Sequence, residues 1–338
     1  MKALQIPDLQ KIQVVELPKP EVKPGEVLLK LKYVGFCGSD LNTFLGRNAM
    51  AKANVIPGHE IGAVIEAVGE GCPEELTIGQ VVTVNPYTNC GHCASCRNGR
   101  YNACKNNETL GVQRDGAMRE YISLPWQKII PVKGVSVRDC ALIEPMSVGF
   151  HAVSRAQVVD TDTVMVIGCG MVGVGAVVRA IMRGAKVIAC DMDDEKLAIV
   201  RGLGAEYTIN SAKENVHERL QEITNGAGPD VVIEAVGAPV TYQMAVNEVA
   251  FTGRVVCIGY AKQDVQFTTK LFVQKELDIR GSRNAQPEDF EGVIRYLEKN
   301  NPPYDILISN EVDPEHAEEA MQQWMQAPAK VFRILVKF

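Results

Sequence analysis

The chain has no apolar run long enough to cross a bilayer. Its best candidate, residues 164–178, is only 15 residues, carries four glycines and meets Arg179, whereas a span needs about 20 apolar residues. The opening stretch Met1-Lys2-Ala3-Leu4-Gln5-Ile6-Pro7-Asp8 lacks an apolar signal core and an Arg-rich amphipathic pattern, which points to the cytoplasm. An excess of basic charge is missing too. A formal net charge of −6 favours solubility and argues against non-specific binding to nucleic acid or anionic membranes. Internal repeats and low-complexity tracts are absent, and no helix-length periodic pattern occurs before about residue 40. What remains is an ordinary globular composition, 46% hydrophobic and 22% charged. At 338 residues it exceeds the roughly 250–300 at which single cores stop growing, so two domains are expected. Ten cysteines would be unusual as disulfides in that compartment, so clustered ones read first as metal ligands.

Residues 163–191 read as a βαβ unit. A β-branched run, 164–167, ends in Gly168-x-Gly170-x-x-Gly173; an apolar helix-length segment follows to Met182, Gly184 breaks it, and a second apolar run, 186–190, ends in Asp191. Gly168 permits the tight turn, Gly170 lets the backbone approach a pyrophosphate, and Gly173 lets helix and strand pack closely. The free N–H groups of the helix start, at Met171 and Val172, then hold the phosphates. Asp191 lies where an acid hydrogen-bonds the ribose hydroxyls of NAD and would repel a 2′-phosphate. Met192, rather than Arg, also leans toward NAD. The rhythm continues with helices expected at 194–202, 213–224 and 240–250 and strands at 206–209, 230–236, 254–260 and 277–280. Six short apolar strands separated by helices describe a doubly wound parallel sheet, and Gly237 and Gly259 end two of them, where ligands bind in such sheets.

The first half is different. Strands are expected at 2–6, 11–17 and 26–34, punctuated by Pro18, Pro20, Pro24 and Gly25. They lead into Gly35-Phe36-Cys37-Gly38-Ser39-Asp40, and His59, 22 residues after Cys37, stands in Pro57-Gly58-His59-Glu60, before an alternating strand at 61–68. Cysteine, histidine and carboxylate are zinc-binding types, and a catalytic zinc takes three protein ligands and leaves one position open. Alone, the pair decides little, because a single cysteine is usually a small buried hydrophobe and a single histidine a satisfied core or surface residue. The next feature adds weight: Cys90-x2-Cys93-x2-Cys96-x7-Cys104 places four thiols within fifteen residues. Tetrahedral zinc closed to water is the leading reading. Iron–sulfur ligation is the main rival, although the ferredoxin run closes at three residues and is followed by Pro, whereas this one is followed by Lys105. Disulfides come third. His92, inside the loop, reads as a bystander.

These motifs, in this order and spacing, resemble the zinc-dependent medium-chain alcohol dehydrogenase family over the whole chain. The likeness is closest to the polyol and sugar-acid branch (sorbitol, L-idonate, L-gulonate and L-galactonate 5-dehydrogenases). Two segments carry it: Ile143-Glu144-Pro145-Met146-Ser147-Val148-Gly149 and Gly281-Ser282-Arg283-Asn284-Ala285-x-Pro287-Glu288-Asp289-Phe290. The resemblance implies an α/β protein. A GroES-like β-rich catalytic domain would occupy residues 1–146 and 284–338, with a structural zinc lobe at about 86–106, and a Rossmann NAD-binding domain residues 147–283.

It further implies Cys37 and His59 as ligands of a catalytic zinc. Glu60 would be a direct or exchangeable ligand, and Glu144 a ligand or one reaching the metal through water. Liver-type members have Cys where Glu144 stands. Asp40 would orient His59, and Ser39 would take the substrate hydroxyl proton. One position departs from the pattern: many relatives have His two residues after that Asp, but here it is Asn42, which cannot act as a base, so a proton relay must leave by another route or be slower. Glu60 and Glu144 each sit in an apolar stretch, where an unpaired charge is costly; solvated or capping roles are the alternatives. Arg283 could bind the acid end of a sugar acid or a polyol hydroxyl with its guanidinium fork, or be a plain surface arginine. His151 is expected to pack against the domain joint, and His217 and His316 to face solvent.

The activity implied is reversible oxidation of a secondary alcohol in a small polyol or sugar acid, with hydride passed to NAD and water excluded by closure of the cleft between domains. Other substrates, such as threonine or a simple alcohol, stay open. A zinc-free quinone-reductase-like member would lack the four-cysteine lobe and the Cys37/His59 pair. A catalytically inactive NAD-binding regulator or redox sensor is the reading from a different class. Dimers or tetramers are the implied assemblies.

Overall fold

Prolines at 18, 20 and 24 keep the first segments extended, and an alternating apolar pattern then gives them one buried face. In this computed structural model, which describes residues 1–300 and 304–338, β1 (Lys2–Gln5) and β2 (Gln13–Glu16) form an antiparallel pair. β3 (Glu26–Phe36) is the spine of a larger sheet. Its last residues feed α1 (Gly38–Phe44), a helix too short to show a period in the sequence. β4 (Glu60–Val68) and β5 (Val81–Val84) return antiparallel. α2 (Ala94–Arg97) lies inside the cysteine-rich loop, and β6 (Tyr121–Pro125) and β7 (Ile129–Pro131) follow. The helix α3 (Ile143–Ala156) then begins.

The chain clusters into two units, residues 1–145 with 286–338, and residues 146–285. The second unit holds β8 (Thr163–Ile167), α4 (Met171–Met182), β9 (Lys186–Asp191), α5 (Asp194–Gly202), β10 (Tyr207–Asn210) and α6 (Val216–Thr224). β11 (Val231–Glu234), α7 (Pro239–Glu248), β12 (Arg254–Cys257), α8 (Lys270–Gln274) and β13 (Asp278–Gly281) complete it. Its six strands are all parallel, in the order β10-β9-β8-β11-β12-β13. This is the doubly wound arrangement, with its switch point between β8 and β11. Met165, Ile188, Ile209, Val232 and Val255 form its buried core.

α9 (Pro287–Asn300), β14 (Asn310–Val312), α10 (Ala317–Gln326) and β15 (Ile334–Lys337) rejoin the first unit. β15 pairs antiparallel with β3, so the seven-stranded sheet runs β14-β15-β3-β4-β5-β7, with β6 also on β3. Leu29, Leu31, Val34, Phe36, Phe44, Ile61 and Ile65 lie in its core together with Met321 and Trp324 of α10.

Boundaries move from the sequence expectation for local reasons. α6 begins at Val216 rather than 213 because the Asn215 side chain accepts from Glu218 N and caps the helix there. β12 stops at Cys257 rather than running to 260, because Gly259 turns against the Gly237 backbone. Among the described residues no helix is long and apolar enough to cross a membrane.

Candidate active site

The end of β3 and the start of β4 lie side by side, with Gly35 opposite Glu60. That register brings Cys37, at the N-cap of α1, next to His59 and Glu60. One ligand atom from each of the three lies within 4.8 Å of the others. Gly35 is required here by close approach: a Cβ at 35 would sit 2.3 Å from Glu60 Oε2 and 3.3 Å from Arg333 Cδ.

The polar atoms of this pocket are under-satisfied. His59 and Glu60 are buried, and His59 Nδ1 and both Glu60 carboxylate oxygens make no hydrogen bond. Buried polar atoms normally have partners. Burial opposes the charged imidazole, but the Cys37 thiolate beside it wins and raises His59 well above its ordinary value. Burial likewise pushes the Cys37 thiol up, and His59 outweighs that and draws it down. Burial also raises Glu60 far above the usual carboxylate range, with Arg333 working against it. A thiolate, an imidazole and a carboxylate forced together with unpaired polar atoms are a donor set that a zinc ion would satisfy.

Two residues in this pocket carried no signal in the sequence. Arg333 lies just ahead of β15; its Nη1 donates to Phe36 O at 2.6 Å. Its Nε stands 3.0 Å from Glu60 Oε2, an ion pair by distance whose N–H does not point at the oxygen, so neither atom forms a hydrogen bond. Tyr87 lies between β5 and the cysteine-rich loop, and its buried phenol donates to Glu144 Oε1 at the start of α3. Burial and then the Glu144 charge push the phenol well above its ordinary value. Only the fixed partner of a buried tyrosine could have hinted at it, and that partner is 57 residues away.

Asp40 is fully buried in α1 and accepts from Cys37 N at 2.8 Å through Oδ2. Its Oδ1 and His59 Nδ1 are both without a hydrogen bond, so no bond joins the two here. Ser39 Oγ is also buried and unpartnered. Asn42 lies on α1, half-buried, and its carbonyl accepts from Arg47 N.

Cys90, Cys93, Cys96 and Cys104 bring their four sulfurs within 4.8 Å of one another. Cys93 Sγ is 3.5 Å from Cys96 Sγ and 3.9 Å from Cys104 Sγ. A zinc–sulfur bond of about 2.3 Å in a tetrahedron separates the sulfurs by about 3.8 Å, whereas a disulfide needs about 2.05 Å. The spacing is that of a single tetrahedral ion. The Ser95 hydroxyl, followed by backbone N–H groups, draws the Cys93 thiol down to about 5, while burial and Cys93 push Cys96 up to about 11. His92 stays outside the cluster, bonded through Nδ1 to Cys90 O.

In the second unit the glycine-rich turn is built by contact. Gly168, at φ +93°, donates to Cys190 O, and a Cβ on Gly173 would lie 1.8 Å from Gly168 O. Gly170 caps α4 and faces open space, so the N–H groups of Met171 and Val172 begin the helix beside a cradle where backbone can meet a phosphate. Asp191 ends β9; Oδ2 accepts from Cys169 N at 2.6 Å, and Oδ1 from Met192 N and Asp193 N. Gly237 and Gly259 close the ends of β11 and β12, where a Cβ on Gly259 would stand 2.1 Å from Gly237 N. Arg283 is half-buried just past β13 in this unit. His151 is buried, and His217 and His316 are exposed.

Residues 23–134 match the family described as alcohol dehydrogenase GroES-like domain, and residues 172–299 that described as zinc-binding dehydrogenase. An L-galactonate-5-dehydrogenase of Escherichia coli (strain K12) is 33% identical over 295 residues, covering 87% of this chain and 86% of its own. A sorbitol dehydrogenase of Bacillus subtilis (strain 168) is 31% identical over 346 residues, covering 99% and 97%. Among solved structures, an alcohol dehydrogenase from E. coli CFT073 complexed with NADH superposes with a TM-score of 0.91 at 29% identity, covering 100% of this chain and 99% of its own.

Proposed function

The chain belongs to the zinc-binding alcohol dehydrogenase family with a GroES-like domain, and from that premise we propose that it reversibly oxidises a secondary alcohol of a small polyol or sugar acid, with NAD as hydride acceptor. The observation that carries this reading is the cluster of Cys37, His59 and Glu60 with its unbonded donor atoms. It occurs in a chain whose other unit has the doubly wound sheet and glycine-rich turn of a dinucleotide binder.

Cys37, His59 and Glu60 would hold the catalytic ion, and Cys90, Cys93, Cys96 and Cys104 the structural one. When bound, the catalytic zinc supplies Lewis acidity to the substrate hydroxyl while NAD accepts the hydride. The chain's own groups do the rest. Ser39 Oγ takes the hydroxyl proton. Asp40 fixes Cys37 through its backbone and shapes the field around His59. Asn42 cannot carry the proton onward, so it leaves past the carboxylate of Glu144. Gly168, Gly170, Met171, Val172 and Gly173 cradle the pyrophosphate, Asp191 takes the ribose hydroxyls, and Gly237 and Gly259 let backbone approach the cofactor. Arg283 receives the carboxylate of a sugar acid. Cytoplasmic residence is part of the same reading. So is a homo-oligomer, dimer or tetramer: β13 is an edge strand with Ile279 exposed, the kind of edge that a second copy can extend.

The test is NADH formation by purified protein given NAD, or NADP, with L-galactonate, L-idonate, L-gulonate, sorbitol, galactitol, threonine and simple alcohols, with and without a chelator. Chelator-sensitive turnover of an acid or polyol with NAD is the expected result. Turnover confined to threonine or simple alcohols would replace the substrate class. Silence across the panel in zinc-loaded, NAD-binding protein would leave a regulator.

A further inference from the structure

Tyr87 is anchored on several sides. Its N–H donates to Asn85 Oδ1 at 3.1 Å, and its carbonyl accepts from Lys128 Nζ at 2.6 Å. The preceding carbonyl, Pro86 O, accepts from Arg114 Nη2 at 3.4 Å. Its ring meets Phe290 of α9 edge-on, with centroids 6.3 Å apart and planes at 67°. With its main chain bonded on both sides and its ring against Phe290, Tyr87 is the fixed member of its hydrogen-bonded pair. The partner is Glu144, whose Oε1 is committed to the phenol.

The two acidic candidates of the pocket therefore differ. Both oxygens of Glu60 are free of hydrogen bonds, and an oxygen of Glu60 falls within reach of Cys37 and His59. Glu144 is buried in the same pocket but lies outside that ligand group. With Oε1 engaged by the phenol, Glu144 cannot offer a metal both oxygens.

We propose that Tyr87 is a positioning residue that decides which buried carboxylate serves the metal: by holding Glu144 through Oε1 it bars bidentate coordination by Glu144 and leaves the third protein position to Glu60. The inference rests on the reading of Cys37, His59 and Glu60 as metal ligands. Tyr87 acts through Glu144 and not on the substrate. Tyr87→Phe keeps the ring on Phe290 and removes only the donor, which releases Oε1 of Glu144 to compete.

The test uses full-length protein loaded with cobalt(II) at the smaller cluster and zinc in the lobe. Visible absorption reads the ligand set, and competition with a chromogenic chelator reads affinity. Glu144→Gln, which still accepts from Tyr87, should leave the cobalt spectrum as in the parent, while Tyr87→Phe should shift it. Glu60→Gln should weaken metal binding by at least the roughly 10–100-fold that losing an outer-shell partner costs in the parent, and by less than about tenfold in Tyr87→Phe, where Glu144 takes over. An unchanged spectrum in Tyr87→Phe, a changed one in Glu144→Gln, or equal losses from Glu60→Gln in both backgrounds would overturn the proposal. Should the parent bind metal only in the four-thiol lobe, the ligand reading itself would fall, and the role given to Tyr87 with it.

Discussion

The four thiolates of the lobe come from fifteen consecutive residues, whereas the smaller cluster is assembled from two strand ends, β3 into α1 and the turn before β4. Both follow the same coordination chemistry, yet their ligand counts differ. Four sulfurs saturate a tetrahedral ion and close it to water. Cys37, His59 and one carboxylate would leave a fourth position on an ion they held, in a pocket where Ser39 Oγ and Asp40 Oδ1 also lack partners. The lobe carries its own satisfied donors, with Cys90 N and Asn106 N both bonded to Cys104 Sγ. The difference teaches that one cluster spends its bonds on holding a loop, and the other keeps some in reserve for a substrate.

The comparison breaks first at the lobe. Cys96→Ser should remove one metal per chain and cost several kcal/mol of stability, because structural zinc binding is folding free energy; elemental analysis and a thermal melt check it. His59→Ala should show the reverse pattern. Turnover should fall about a thousandfold, since a Lewis acid contributes several kcal/mol to the barrier, while the melting temperature stays within a few degrees. Arg333→Met should sharpen the contrast from inside the smaller cluster. It leaves Phe36 O without its donor and Glu60 without its counter-charge, so the chelated protein should lose about 1–3 kcal/mol. That deficit should shrink when zinc is restored beside Glu60, which paired melts with and without metal would reveal. Asp191→Ala serves as the control in the other unit. Both metals should stay bound, while the KM for NAD rises about tenfold, the scale of one charge-assisted hydrogen bond, with little effect on NADP.

How much of this was legible in the sequence depended on how local each feature is. The thiol spacing and the Gly168–Gly173 turn are contiguous, so their chemistry showed in the letters. The seven-residue α1 was invisible because it spans two turns and starts on Gly38-Ser39, which are poor helix formers. β5, β6 and β7 are short and end in proline or run into it, which hides the alternation. Arg333 and Phe290 reach their pocket only because the chain after residue 286 returns to the first unit, with β15 pairing to β3 about 300 residues earlier, and no period or spacing encodes such a return. The Glu144–Tyr87 bond is of the same kind. The expected link from Asp40 to His59 is the instructive difference: the sequence places both residues, but the geometry commits Asp40 to Cys37 N.

The most direct measurement is zinc per chain together with NAD-dependent oxidation of L-galactonate and sorbitol, made on the same samples of the parent protein and of Cys37→Ser. The account predicts two zinc ions and chelator-sensitive turnover in the parent, then one remaining ion and no turnover in the variant, with an unchanged melt. Full turnover in Cys37→Ser, or a parent holding zinc in the lobe alone while still reducing NAD, would contradict it.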